Sequence, residues 1–145
     1  MNADRRPFFL DTAYVVAISN VRDQWYTQAA RLEAWLRRDR RGLVTTEFVL
    51  AEIGDGLAAV RQRRQANRII ELLQTNPDVE IVPASADLFA AAFALNRAWA
   101  DQGWGLTDCS SFVVMRERGL TSALPADAHF RQAGFRAHLL DDPAV

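Results

Sequence analysis

The stretch Leu106-Thr107-Asp108-Cys109-Ser110-Ser111-Phe112-Val113-Val114-Met115 restricts the fold more than any other in the chain. Four apolar residues in succession, Phe112 to Met115, cannot share one stripe of a helix, so a helix here must be buried on most sides. A hydroxyl residue followed by an acid ahead of an apolar run is a helix-start signal, which predicts Thr107 as N-cap and Asp108 in the first turn. Taken alone, Asp108 would only offset the helix dipole, for ~0.3–1 kcal/mol. The dipole also keeps it ionised, and a rigid, ionised carboxylate suits a divalent cation when partner acids converge on it.

Around that helix, short apolar runs alternate with helical spacings. Pro7-Phe8-Phe9-Leu10 reads as a buried first strand ending on Asp11-Thr12. Trp25, Ala29, Leu32 and Leu36 lie on one face of a helix from about Val21 to Arg38. Leu43-Val44-Thr45 is a second strand, and Thr46 caps a helix carrying Glu47, Glu52 and Asp55, in which Gly54 and Gly56 predict a bend or close packing. Ala66, Ile69, Ile70 and Leu73 mark a further helix, stopped at Thr75-Asn76-Pro77. Val79 to Val82 is a third strand, and Leu88, Ala92, Leu95 and Trp99 repeat the core spacing from Ser85 onward. Thr121 to Leu124 is a fourth strand, Asp127 falls in a short helical segment, and Arg136 to Leu140 is a last edge strand. With 145 residues, half of them apolar, this predicts a single domain over 1–145 with its core at about 7–140. The class is α/β, a three-layer α/β/α sandwich around a mainly parallel sheet.

All 17 basic residues are arginine. Without lysine, P-loop NTPases, Schiff-base enzymes and phospho-acceptor domains of the receiver or dehalogenase type are excluded. The single Cys109 excludes an internal disulfide, and with only His129 and His138 beside it no zinc-site spacing exists. No apolar run is long enough for a membrane span and the first residues do not form a signal peptide, which implies a cytoplasmic address. The arginines cluster at Arg37, Arg38, Arg40 and Arg41 and again at Arg61, Arg63, Arg64 and Arg68. Such clusters are solvated helix ends or phosphate contacts.

Parallel α/β sheets bind ligands beyond the carboxyl ends of their strands. Asp11 and Asp127 follow strands at that edge, Asp108 heads a helix that reaches it, and Glu52 lies near the start of its own helix. Each has a plain alternative as a cap, a turn former or a solvated side chain. Together they repel one another unless a divalent cation sits among them, and Mg²⁺ or Mn²⁺ prefers such oxygen ligands. The same repulsion predicts that Asp108→Asn melts higher than the wild type without metal.

Asp11-Thr12, Phe48-Val49-Leu50-Ala51-Glu52, the stretch from Leu106 to Met115, and Asp127-Ala128-His129-Phe130 with the residues to Phe135 resemble the PIN-domain ribonucleases, in particular the VapC toxins of bacterial toxin–antitoxin pairs. The resemblance runs from Phe8 to Leu140. It implies Asp11, Glu52, Asp108 and Asp127 as catalytic metal ligands, Glu52 rather than Glu47, with Thr12 and Thr107 behind them. It further implies Mg²⁺, or Mn²⁺, as cofactor, and a structured or single-stranded RNA loop of tRNA or rRNA as substrate. A small antitoxin and a second copy of the chain are the implied protein partners. Aromatics such as Tyr14, Trp25 or Trp104 are candidates to guide the RNA. The chain departs from the family at Pro125, where a threonine is usual two residues before the last acid; proline removes a hydroxyl and a backbone donor. Two alternatives follow: an RNA- or partner-binding module without cleavage, and metal-free cleavage with His129 and His138 as acid and base.

Overall fold

The computed structural model describes residues 5–124 and 128–138. Five strands, β1 (Phe8–Leu10), β2 (Leu43–Thr46), β3 (Val79–Val82), β4 (Ser122–Leu124) and β5 (Arg136–Ala137), form one sheet in the order β3-β2-β1-β4-β5. Every neighbouring pair is parallel. The helices are α1 (Thr12–Ser19), α2 (Tyr26–Asp39), α3 (Glu47–Gly56), α4 (Val60–Thr75), α5 (Ala86–Ala98), α6 (Leu106–Glu117) and α7 (His129–Gln132).

The strand order steps outward from β1 through β2 to β3, then returns to the other side of β1 for β4. Right-handed crossovers in opposite directions put their helices on opposite faces, so α1 to α4 cover one side and α5 and α6 the other. A helix on each face is the predicted three-layer arrangement. The place where the winding direction changes lies between β1 and β4, and the crevice beyond their carboxyl ends is where such sheets take ligands.

The buried centre is built from Phe9 and Leu10 of β1, Leu124 of β4, and Phe112, Val114 and Met115 of α6, with Leu32, Ile53 and Phe130 from the other helices. The prediction that α6 has almost no wet face holds from Cys109 to Met115, where every residue except the half-buried Val113 is buried. Thr46 caps α3 as predicted, its hydroxyl accepting from the Val49 amide at 3.1 Å.

Three local expectations are corrected. The segment Thr12–Ser19 is a separate helix, whereas the spacing predicted one long helix from about Val21. Its sequence is apolar nearly all round, so no 3.6-residue alternation shows. Asn20 and Asp23 then accept from the backbone amides of Arg22 and Trp25, and these two turns delay α2 until Tyr26. Secondly, α3 ends at Gly56 instead of bending through it, and a Cβ on Gly54 would make only ordinary contact with Ile70. Thirdly, α6 begins at Leu106 with Gly105, not Thr107, in the N-cap position. Asp108 is the third helical residue, and its carboxylate reaches back to accept from the Gly105 amide at 3.3 Å. Only that half of a capping box exists, because glycine has no side-chain acceptor. Thr107 lies inside the helix, where its carbonyl accepts from the hydroxyls of Ser110 and Ser111 at 2.7 and 3.0 Å. Of the predicted last strand, residues 139 and 140 lie outside the described residues.

Candidate active site

Asp11 is the first residue after β1, the central strand, at its carboxyl end. Thr45 of β2, fully buried, donates its hydroxyl to the Leu10 carbonyl at 2.8 Å and so fixes the backbone that delivers Asp11. Asp11 occupies the N-cap position of α1, yet its side chain makes no capping hydrogen bond. The plain reading of Asp11 as a cap is therefore not what the geometry shows. Its residue is only 3% exposed, and burying a carboxylate this far carries a desolvation cost of several kcal/mol. Next to it, the Thr12 hydroxyl is buried and has no hydrogen-bond partner among the described residues.

Helix α6 runs down into β4 through Gly119, whose φ of 64° makes the tight turn, so the head of α6 stands at the carboxyl edge of the sheet. Asp108 is held there by two hydrogen bonds to one oxygen, from Gly105 and from the His129 ring at 2.9 Å. Because an ionised carboxylate can only accept, the His129 Nδ1 carries the proton. His129 opens α7, and this contact brings α7 against the head of α6. Two more links join the same pieces. Trp104 Nε1 donates to Gln132 at 3.3 Å, and Phe112 meets Phe130 edge to face at 5.0 Å.

Asp11 and Asp108 thus lie on the predicted edge, and Asp127 lies outside the described residues. Glu52 is exposed on the second turn of α3. Glu47 has a different task, accepting from the Ala84 amide at 2.8 Å and so tying α3 to the loop after β3. Among the described residues no three of His, Cys, Asp and Glu stand close enough together to hold an ion. The donors that do line this edge are oxygens, two carboxylates and the unsatisfied Thr12 hydroxyl, which fits a hard cation such as Mg²⁺ or Mn²⁺. The cleft of about 460 Å³ that is bordered by Tyr14, Ile18, Leu36 and Leu73 includes none of Asp11, Glu52 and Asp108.

The PIN-domain family model matches residues 8–136. The chain belongs to the PIN-domain family. The 23S rRNA-specific endonuclease VapC20 of Mycobacterium tuberculosis is a homologue, 28% identical over 127 residues that span 88% of this chain and 94% of VapC20. The crystal structure of VapC20, described as a sarcin-ricin loop cleaving toxin, superposes with a TM-score of 0.76 at 26% identity, covering 88% of this chain and 95% of that one. FitAcB from Neisseria gonorrhoeae shares the fold with a TM-score of 0.61 at 20% identity, over 90% of this chain and 95% of its own. VapBC2 from Rickettsia felis, bound to a DNA fragment from its promoter, gives the same TM-score at 17% identity, over 90% and 96%.

Within this PIN fold several expected roles change. Tyr14 and Trp104 are buried, so neither offers a face to RNA. Burial, reinforced by Glu33 and opposed by Arg37, pushes the Tyr14 hydroxyl far above its ordinary range. Arg41, expected among the phosphate-contact candidates, instead packs over the rings of Phe8 and Trp35 and donates to the Arg6 carbonyl. Burial also raises the Cys109 thiol, which disfavours a thiolate nucleophile. His138 is buried and stacked on Phe8 at 4.5 Å, too enclosed to serve as acid or base with His129. No described helix is long and apolar enough to cross a membrane.

The hydrogen bonds to Asp108 reverse one expectation from the sequence. Asp108→Asn keeps an oxygen able to accept from both His129 and Gly105 but takes the charge out of both bonds, and a charge-assisted bond is worth ~1.5–3 kcal/mol against ~0.5–1.5 for a neutral one. His129 is about a third exposed, which lowers that value. Glu52 is exposed, so solvent screens its repulsion of Asp108. The variant should therefore lose about 1 kcal/mol and melt roughly 2–4 °C lower in chelator. Melting curves check this; a variant melting above wild type would return carboxylate repulsion to first place.

Proposed function

We propose that this PIN domain is a divalent-metal-dependent endoribonuclease, the toxin of a toxin–antitoxin pair, that cleaves a loop of a structured RNA. The observation that carries the reading is that buried Asp11, after β1, and clamped Asp108, at the head of α6, both stand at the carboxyl edge of a sheet whose fold and sequence match an RNA-cleaving relative. In this reading Asp11, Glu52, Asp108 and Asp127 hold the cation, with Thr12 and Thr107 supporting them. Bound there, Mg²⁺ or Mn²⁺ polarises the scissile phosphate and makes the attacking water more acidic. The chain supplies position and proton acceptance: Asp11 is fixed by the Thr45 clamp and Asp108 by its two hydrogen bonds, and one of the two accepts the proton of the water. The similarity to VapC20 supports ribosomal RNA over transfer RNA as substrate.

The partners that complete this reading are a small antitoxin, placing a basic side chain among the acids, and a second copy of the chain. The exposed face of α5, where half-exposed Phe89 stacks on Phe93 and Arg97 lies over the Phe93 ring, supports the second copy. Incubating purified protein with total RNA in Mg²⁺ or in chelator, then mapping the ends, tests the activity. Metal-dependent cuts leaving 5′-phosphate and 3′-hydroxyl ends are expected. Cyclic phosphates, or cleavage unaffected by chelator, would contradict it, and metal binding without any cleavage would favour a binding module spoiled at Pro125.

A further inference from the structure

The Asp108 carboxylate of the proposed site meets an imidazole that the carboxylate pattern does not contain. His129 Nδ1 lies 2.9 Å from Asp108 Oδ2, the same oxygen that accepts from Gly105. The Asp108 side chain is 16% exposed and His129 is 34% exposed, so the pair lies at the crevice wall, neither in the core nor in open solvent. The ring's other nitrogen faces Gly103, where a Cβ would meet it at 3.9 Å. His129 thus sits beside the loop that leads into α6, and the α7 turn that carries it is anchored independently by Gln132 on Trp104 and Phe130 on Phe112. Three contacts across one seam leave the imidazole little freedom to swing away from the carboxylate.

We infer that His129 is a positioning residue for Asp108: its Nδ1–H fixes the carboxylate's rotation so that the group is presented to the metal in one orientation. The inference rests on the metal-dependent reading above. A carboxylate on a helix end otherwise rotates about its χ angles, and ordering it on binding costs free energy. Donors that orient a metal ligand typically change affinity or activity by 10–100-fold when removed. Both the neutral Nδ1–H tautomer and the charged ring donate this bond, so the role does not depend on the charge of His129.

The side chain of asparagine places its amide nitrogen at the same number of bonds from Cβ as the Nδ1 of histidine, whereas glutamine places its donor one bond farther out. The test compares wild type, His129→Ala, His129→Asn and His129→Gln. Mn²⁺ affinity is read on the protein alone by electron paramagnetic resonance, and kcat and KM on RNA. His129→Ala should weaken Mn²⁺ binding and lower kcat by about 10-fold or more with KM for RNA little changed. His129→Asn should recover most of both losses and His129→Gln should not. If the alanine variant fails to fold, the asparagine and glutamine variants decide, since both keep a polar side chain in the seam. Wild-type Mn²⁺ affinity and kcat in His129→Ala, or equal behaviour of the asparagine and glutamine variants, would overturn the inference. A wild-type protein that neither binds Mn²⁺ nor cleaves RNA would instead overturn the metal-dependent reading itself.

Discussion

Asp11→Asn is expected to lower RNA cleavage by about 10³-fold or more while leaving the circular dichroism native. Asparagine matches the shape of aspartate, so the β1–α1 junction and the Thr45 bond to Leu10 persist. Only the charge is lost, and with it, on the proposed reading, a ligand to the cation. The several kcal/mol of charge stabilisation that a bound divalent ion supplies to a phosphodiester transition state would go with it, and each 1.4 kcal/mol or so is tenfold in rate. Melting curves in chelator then report only what the charge of this buried side chain does to the fold. Cleavage assays and melting curves on the same preparation separate the two effects. A folded Asp11→Asn with near wild-type cleavage would take Asp11 out of the site.

The largest effect on stability is expected from Phe112→Ala. Phe112 is fully buried and lies edge-on to both Trp104 and Phe130, with ring centroids 5.0 Å away in each case, and packs on Phe135 at 5.8 Å. Truncating a fully buried phenylalanine costs ~3–5 kcal/mol through lost transfer energy and a residual cavity. For a domain of this size that lowers the melting temperature by roughly 10 °C or more. The same cluster presses α7 onto α6, so the Asp108–His129 contact should loosen with it and cleavage should fall even below the melting transition. Thermal denaturation followed by cleavage at low temperature checks both. A loss under about 1 kcal/mol would mean that the neighbours collapse into the space and that the cluster does not hold α7 in place.

Most strands were legible because short apolar runs are closed by a polar residue or a break, as in Phe8–Leu10 before Asp11 and Val79–Val82 before Pro83, whereas among the described residues β5 covers only Arg136–Ala137 of the longer strand predicted there. Burial of α6 was legible for a related reason: Phe112 to Met115 leave no side for water. Helix α1 was not, since a helix apolar on all faces carries no periodic signal. The cap of α6 was misplaced because a threonine before an acid outranks a glycine on propensity, while Asp108 itself supplies the capping bond. Tyr14 and Trp104 looked available to RNA only because an aromatic residue's burial depends on long-range packing, here on contacts such as Trp104 with Phe112. Of the proposed site, Asp11 and Asp108 were legible as acids at a strand end and a helix head, where the structure places them. Their supports were not. Thr45 and His129 act across 35 and 21 residues of sequence, and no local spacing announces such pairs. The proximity of His129 to Asp127 in the chain was the one available hint.

The most direct test of the metal-dependent site is an anomalous difference map from crystals of the protein soaked in MnCl₂. A peak is expected beyond the carboxyl ends of β1 and β4, with carboxylate oxygens of Asp11 and Asp108 at about 2.0–2.2 Å from it. A crevice with no peak at saturating Mn²⁺, or an ion bound elsewhere that leaves both carboxylates untouched, would contradict the proposed site.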